Sequence, residues 1–64
     1  MEPTKKKLKH IETGNKILLG IDFREILEIT RHQNNTTTIV VSINGMKHRI
    51  NYGNDKEFLT IDWL

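Results

Sequence analysis

The sequence predicts a mainly β domain, and two observations support this fold class. β-Branched residues favour strands, and the chain of 64 residues has nine Ile, two Val and seven Thr but no Ala, the best helix former. Residues 36–52, TTTIVVSINGMKHRINY, form two alternating runs joined by Asn44-Gly45. Asn-Gly is the pair that best tolerates the positive φ angles of a two-residue type I′ turn. We therefore expect a β-hairpin here, with helix limited to short turns elsewhere.

The two-residue turn fixes the register of this hairpin and gives it two different faces. The expected cross-strand pairs on one face are Ile43–Met46, Val41–His48, Ile39–Ile50 and Thr37–Tyr52. That face is mostly apolar, because side chains alternate along a strand. The opposite face is polar and basic, and its side chains are Thr38, Val40, Ser42, Lys47, Arg49 and Asn51.

The N-terminal part of the chain divides into an arm and the start of the domain. Residues 1–7, MEPTKKK, have no apolar anchor after Met1, so we expect a flexible basic arm. Residues 8–64 are then a single small β domain. Within it, residues 8–21 predict a first hairpin about Gly14-Asn15, an accepted two-residue turn signal. Gly20 is expected to mark a bend or a bulge in the second strand.

The next segment leaves two interpretations open. Asp22 and Glu25 form a capping-box pattern, which predicts the start of a helix. Either the helix continues for about ten residues, as the apolar spacing allows, or one helical turn gives way to a strand over residues 27–32. Ile29 favours the strand, because it lies off the helical stripe and between two polar neighbours.

The C-terminal part predicts a loop at residues 33–35, a strand end at residues 53–55 and an apolar ending. Asn54 and Glu57 form a second capping-box pattern, so residues 55–60 predict a short helical turn. Five short strands in this order predict a small SH3-like barrel or a strongly bent antiparallel sheet with short helical turns.

Composition argues against several classes of function. There is no Cys, and the three His residues have no metal-ligand spacing, so we expect neither a metal nor a cofactor. The single Ser, Ser42, lies within a strand beside Lys47 and lacks a His base, which argues against an enzyme. No apolar run is long enough for a signal peptide or a membrane span, so we expect a cytoplasmic protein without membrane contact.

The basic residues favour nucleic acid as the partner. The formal net charge is +2 and the sequence pI is about 9.2. Lys47 and Arg49 project from one face of the hairpin, about 7 Å apart. Lys5, Lys6 and Lys7 would add contacts from the arm. We expect such a module to neutralise the phosphate backbone with little readout of the bases.

Two other interpretations remain. The chain would act as a protein adaptor or inhibitor, of a phage or regulatory type, if it binds through a sheet edge or through its apolar ending. The residues of that ending are Phe58, Ile61, Trp63 and Leu64. A homodimer whose interface completes the core is the third interpretation. Each of these features also has a purely structural interpretation. The lysines would then only be solvated, and Trp63 would only fill the core.

Overall fold

A computed structural model describes residues 2–61 as a six-stranded antiparallel sheet. The strands are β1 Thr4–Lys7, β2 Lys16–Leu19, β3 Asp22–Arg31, β4 Thr36–Ile43, β5 Met46–Gly53 and β6 Glu57–Ile61. Their order across the sheet is β1-β6-β2-β3-β4-β5. The predicted mainly β fold with a bent antiparallel sheet is confirmed. The sheet has six strands instead of five, and in the described residues β1 and β5 remain as edges, so the barrel is not closed.

Strand β3 is where the sheet bends. Its first half pairs with β2 and its second half pairs with β4. The extra residue Leu27 shifts the register between Ile26 and Glu28, and a β-bulge of this kind bends a strand and increases its twist. The two halves of the sheet therefore fold toward each other. Tyr52 of β5 meets Phe58 of β6, with ring centroids 5.1 Å apart in an edge-to-face arrangement.

The core lies between the two folded halves. Its buried apolar side chains are Leu8, Ile11, Ile17, Ile26, Ile39, Val41 and Phe58. They come from β2, β3, β4 and β6 and from the segment that follows β1, where Leu8–His10 forms one 3₁₀ turn. Full burial of each such side chain contributes about 1.5–3 kcal/mol to the stability of the folded domain.

Arg31 joins the 3₁₀ segment to the end of β3. Its guanidinium donates hydrogen bonds to the carbonyl oxygens of Leu8 at 2.9 Å and Ile11 at 2.7 Å, and to Thr37 Oγ1 at 3.3 Å. The fully buried Thr37 hydroxyl in turn donates to Asn54 Oδ1 at 2.5 Å. Hydrogen bonds from a charged donor are stronger than neutral ones. This junction therefore links residues that are far apart in the sequence.

The predicted hairpin of residues 36–52 is confirmed pair by pair. Every expected cross-strand pair is present in the β4–β5 register. Asn44 has φ 52° and Gly45 has φ 79°, as a type I′ turn requires. The loop at residues 33–35 and the strand end at residues 53–55 also lie where the sequence predicted them. Local turn chemistry was therefore sufficient to predict this hairpin.

The predicted first hairpin about Gly14-Asn15 is wrong. The chain does turn there, with Gly14 at φ 90°. However, Asn15 Oδ1 accepts a hydrogen bond of 2.9 Å from the backbone N–H of Glu12. The turn then bonds to β3, because Gly14 donates to the carbonyl of Ile26 and Ile26 donates to that of Asn15. Residues 8–13 do not pair with β2, and the backbone amides of Leu8 and Lys9 instead donate to the carbonyls of Lys56 and Asn54.

Strand β2 instead forms a hairpin with β3 through Gly20-Ile21. Leu19 lies opposite Asp22, which leaves a two-residue turn between the strands. Gly20, at φ 70°, occupies the first central position, where a type II′ turn prefers Gly. Gly20 thus makes the reversal itself, whereas the sequence predicted a bend or bulge inside a strand.

Both predicted helical turns are also wrong, since residues 22–26 belong to β3 and residues 57–60 to β6. In β6, the buried Phe58 and Thr60 alternate with the exposed Glu57 and Leu59, which is the period of a strand. A capping-box pattern is a local signal and takes no account of neighbouring strands. In both segments, pairing with a neighbouring strand outweighed that signal.

The segment predicted as a flexible arm also differs. Thr4–Lys7 forms β1, which pairs with β6 from Thr4 opposite Thr60 to Lys7 opposite Glu57. The Thr60 hydroxyl adds a hydrogen bond of 2.9 Å to the carbonyl of Thr4. Backbone pairing of this kind does not need apolar side chains, so a run of lysines gave no sign of it.

Candidate nucleic-acid interface

The outer face of β4 and β5 carries the predicted basic pair. Lys47 lies opposite Ser42, and Arg49 lies opposite Val40. Both cations are exposed. The register therefore places them side by side on one face of an edge strand, about 7 Å apart.

Polar side chains beside this pair on the outer face hydrogen-bond to each other. Asn51 Nδ2 donates to Thr38 Oγ1 at 3.0 Å and to Thr36 Oγ1 at 3.4 Å. Thr38 Oγ1 also lies 2.7 Å from His32 Nε2. This network occupies the Asn51 amide and the Thr36 and Thr38 hydroxyls beside Arg49. The two cations thus remain the main groups available to an anion.

An acidic side chain limits the charge of the same face. Glu28 of β3 lies opposite Val40, which in turn lies opposite Arg49. Two strand spacings separate Glu28 from Arg49, or about 10 Å. With Lys47 and Val40 these two residues line a shallow depression of about 390 Å³. The positive potential is therefore strongest at the β5 edge and falls toward β3.

The lysines predicted to help from the arm lie on the opposite edge of the sheet. In β1, Lys5 lies opposite Leu59, Lys6 opposite Phe58 and Lys7 opposite Glu57. Lys5 and Lys7 therefore share one face, whereas Lys6 lies on the other. The five predicted cations are not brought together into a single patch.

The two edge strands, β1 and β5, nevertheless border one cleft, which was not predicted from the sequence. It has a volume of about 420 Å³ and forms where β2 and β6 diverge, beyond the pairing of Ile17 with Thr60. Lys5 of β1 and Tyr52 of β5 both line it. The other lining residues are Leu18, Leu19, Gly20, Lys56, Glu57, Phe58 and Leu59. The cleft depends on long-range pairing, so no local pattern could have predicted it.

Charge is distributed unevenly among the strands. The charged side chains of β1 are Lys5, Lys6 and Lys7, and those of β5 are Lys47 and Arg49, beside His48. Neither edge strand has an acidic residue, and β4, next to β5, has no charged residue at all. Half of the ten Lys and Arg residues are thus on the two edges of the sheet.

The residues of the alternative protein-binding surface have different positions. Phe58 is only 6 % exposed and belongs to the core, and Ile61 is half-buried. Trp63 and Leu64 lie outside the described residues. Among residues 2–61 the most exposed large apolar side chains are Ile21, in the β2–β3 turn, and Met46, beside the β4–β5 turn, at 93 % and 64 % exposure. Neither residue was predicted from the sequence to belong to a binding surface.

The remaining chemistry of the described residues is sparse. No three of their His, Cys, Asp and Glu side chains lie close enough together to hold a metal ion. None of residues 2–61 belongs to a helix that is long and apolar enough to span a bilayer. In comparisons with known proteins, no protein-family model, curated protein or solved structure matches the chain.

Proposed function

We propose that this chain is a small non-catalytic binding module whose ligand is the phosphate backbone of nucleic acid. The observation that supports this most is the exposed pair Lys47 and Arg49 on an edge strand without acidic residues. Neither cation has an ion-pair partner among residues 2–61, so both charges are available to phosphate.

The recognition mechanism is the release of counterions when cations replace them along the backbone. Lys47 and Arg49 contact phosphates directly, and Lys5 adds charge from the far side of the cleft that β5 borders. Two phosphate contacts give a slope of about −1.8 for log affinity against log salt. Between 50 and 200 mM salt, this slope corresponds to a loss of affinity of about twelvefold. Glu28 and the uncharged β4 lie beside these contacts, so we expect modest affinity and little sequence preference.

Fluorescence anisotropy with a labelled 20-base-pair duplex and its matching single strand tests this function. The variant K47Q/R49Q should bind the duplex at least about tenfold more weakly at 50 mM salt. The matched control is K9Q/K16Q, which removes the same formal charge. Lys9 is 3.6 Å from Asp55, and Lys16 lies opposite Glu25, so these cations already have acidic neighbours.

The control should lose less than about threefold, because only long-range attraction is removed. Equal losses in the two double variants would show that binding follows net charge and not the β5 pair. No binding of the wild-type chain to either probe at 50 mM salt would contradict the proposed function outright.

A further inference from the structure

The open edge of β5 has backbone groups that no strand of the described structure satisfies. Residues that flank a two-residue turn exchange both backbone hydrogen bonds, and such pairs alternate along an antiparallel ladder. The residues of β5 that bond to β4 are therefore Met46, His48, Ile50 and Tyr52. The N–H and C=O groups of Lys47, Arg49 and Asn51 are directed to the opposite, open side.

This edge is long and accessible. Strand β5 has eight residues, about 27 Å of extended chain, whereas the other edge, β1, has four. Lys47, Arg49 and Asn51 are all exposed. The Asn51 side chain is bonded to Thr38 and Thr36, on the side toward β4, so it does not cover the edge.

We infer that β5 takes up an extended acidic segment of another protein as an additional antiparallel strand. An added strand would place side chains of the partner beside Lys47 and Arg49 on the outer face, where carboxylates are the complementary groups. The intervening side chains would lie on the inner face beside Met46, His48 and Ile50, with the exposed His48 at the middle position. Met46 is 64 % exposed and Ile50 is half-buried, so apolar side chains there would cover them. The partner thus alternates acidic and apolar residues.

The same charges argue against a second copy of the chain as the occupant. Pairing of two β5 strands would bring Lys47 and Arg49 of one copy beside those of the other, and like charges across a strand pair are destabilising. Cationic edge strands are a known protection against edge-to-edge aggregation. This edge therefore discriminates against itself and against basic or neutral strands, and it selects an acidic one.

The proposed strand addition differs from nucleic-acid binding in the groups that it uses. Nucleic acid would contact the side chains of Lys47 and Arg49, whereas an added strand also needs their main-chain N–H and C=O groups. Both ligands use the same two cations, so they should compete. The inference does not depend on the proposed function, because its test detects the main-chain bonds directly.

The test uses a capped seven-residue peptide of alternating Val and Glu, with fluorescence anisotropy at 50 mM salt. In the inferred register the Glu residues lie opposite Lys47 and Arg49, so their amides face β5 and the Val amides face away. N-methylation of two Glu nitrogens should weaken binding at least about tenfold, and N-methylation of two Val nitrogens less than about threefold. Equal effects of the two isomers, or no binding of the unmodified peptide, would overturn the inference.

Two further measurements test the addition of a strand to β5. Saturating peptide should slow amide hydrogen exchange at Lys47, Arg49 and Asn51; unchanged exchange at all three would contradict strand addition. The charge swap Lys47→Glu with Arg49→Glu should reverse the preference toward a peptide of alternating Val and Lys. Retained preference for the Glu peptide would contradict it, once circular dichroism shows that the variant folds.

Failure here is distinguishable from failure of the proposed function. If the wild-type chain does not bind DNA but binds the Glu peptide as described, only the nucleic-acid proposal is contradicted. If the chain binds DNA but not the Glu peptide, only the proposed strand addition is contradicted.

Discussion

The two halves of the sheet are specified in different ways. The half made of β3, β4 and β5 consists of consecutive strands joined by short turns. The half made of β1, β6 and β2 pairs residues near the start of the described chain with residues near its end, such as Thr4 with Thr60. In the first half, the β4–β5 hairpin follows from local turn chemistry and alternation. The second exists only because both ends of the domain meet over the same core.

The difference has a consequence for stability. Closing long loops between distant strands costs conformational entropy before any contact is gained. The β1–β6–β2 half must therefore offset that cost through its core contacts and through the Arg31 junction. Substitutions that remove these contacts should affect the whole domain, whereas changes at the β4–β5 turn should have smaller effects.

The largest effect is expected for Phe58→Ala. Phe58 brings β6 into the core and packs edge-to-face on Tyr52 of the other half. Truncating a buried Phe costs about 3–5 kcal/mol, which is most of the stability of a domain of this size. The matched control is Leu59→Ala, on the outer face of the same strand at 39 % exposure, for which less than about 1.5 kcal/mol is expected. Urea denaturation followed by circular dichroism measures both, and similar losses would place Phe58 outside the core.

An intermediate effect is expected for Arg31→Met, which keeps most of the apolar stem but removes the guanidinium. The carbonyl oxygens of Leu8 and Ile11 would lose their charged donor. The free energy of unfolding should fall by about 2 kcal/mol. Arg24→Met is the control, since within residues 2–61 that guanidinium bonds only to the exposed carboxylate of Asp22, at 3.4 Å, and a loss below about 0.5 kcal/mol is expected. If the two variants lose equal stability in urea, the junction does not join the halves.

The smallest of the three effects is expected for Gly45→Ala. Gly45 has φ 79°, where Ala is strained, so the free energy of unfolding should fall by about 1–2 kcal/mol. Gly53→Ala, at the other end of β5, is the control. An added Cβ at Gly53 has open space and its φ is not positive, so the change should be neutral or slightly stabilising. Equal melting temperatures for the two variants would contradict the type I′ turn.

The success of prediction from the sequence also differs between local and long-range pairings. Asn44-Gly45 and the alternation around it predicted the register of the β4–β5 ladder, because turn type and register are local properties. Gly14-Asn15 gave an equally acceptable turn signal, but its polar groups bond to β3, so its partner was misassigned. The strand identity of Thr4–Lys7 and Glu57–Ile61 was missed because each depends on the other.

The candidate site divides in the same way. The positions of Lys47 and Arg49 on one exposed face were predictable, since they depend only on the hairpin register. The separation of Lys5, Lys6 and Lys7 from them was not, because it depends on the order of strands across the sheet. The open edge of β5 likewise became visible only when that order was known.

The salt dependence of duplex affinity tests the proposed role of β5 most directly. Anisotropy titrations of the wild-type chain and of K47Q/R49Q, from 50 to 200 mM salt, give the slope of log affinity against log salt for each. If Lys47 and Arg49 contact phosphates, the slope of the variant should be less steep by about 1.8. Parallel slopes would show that neither residue releases counterions, and would contradict the assignment of this strand as the nucleic-acid contact.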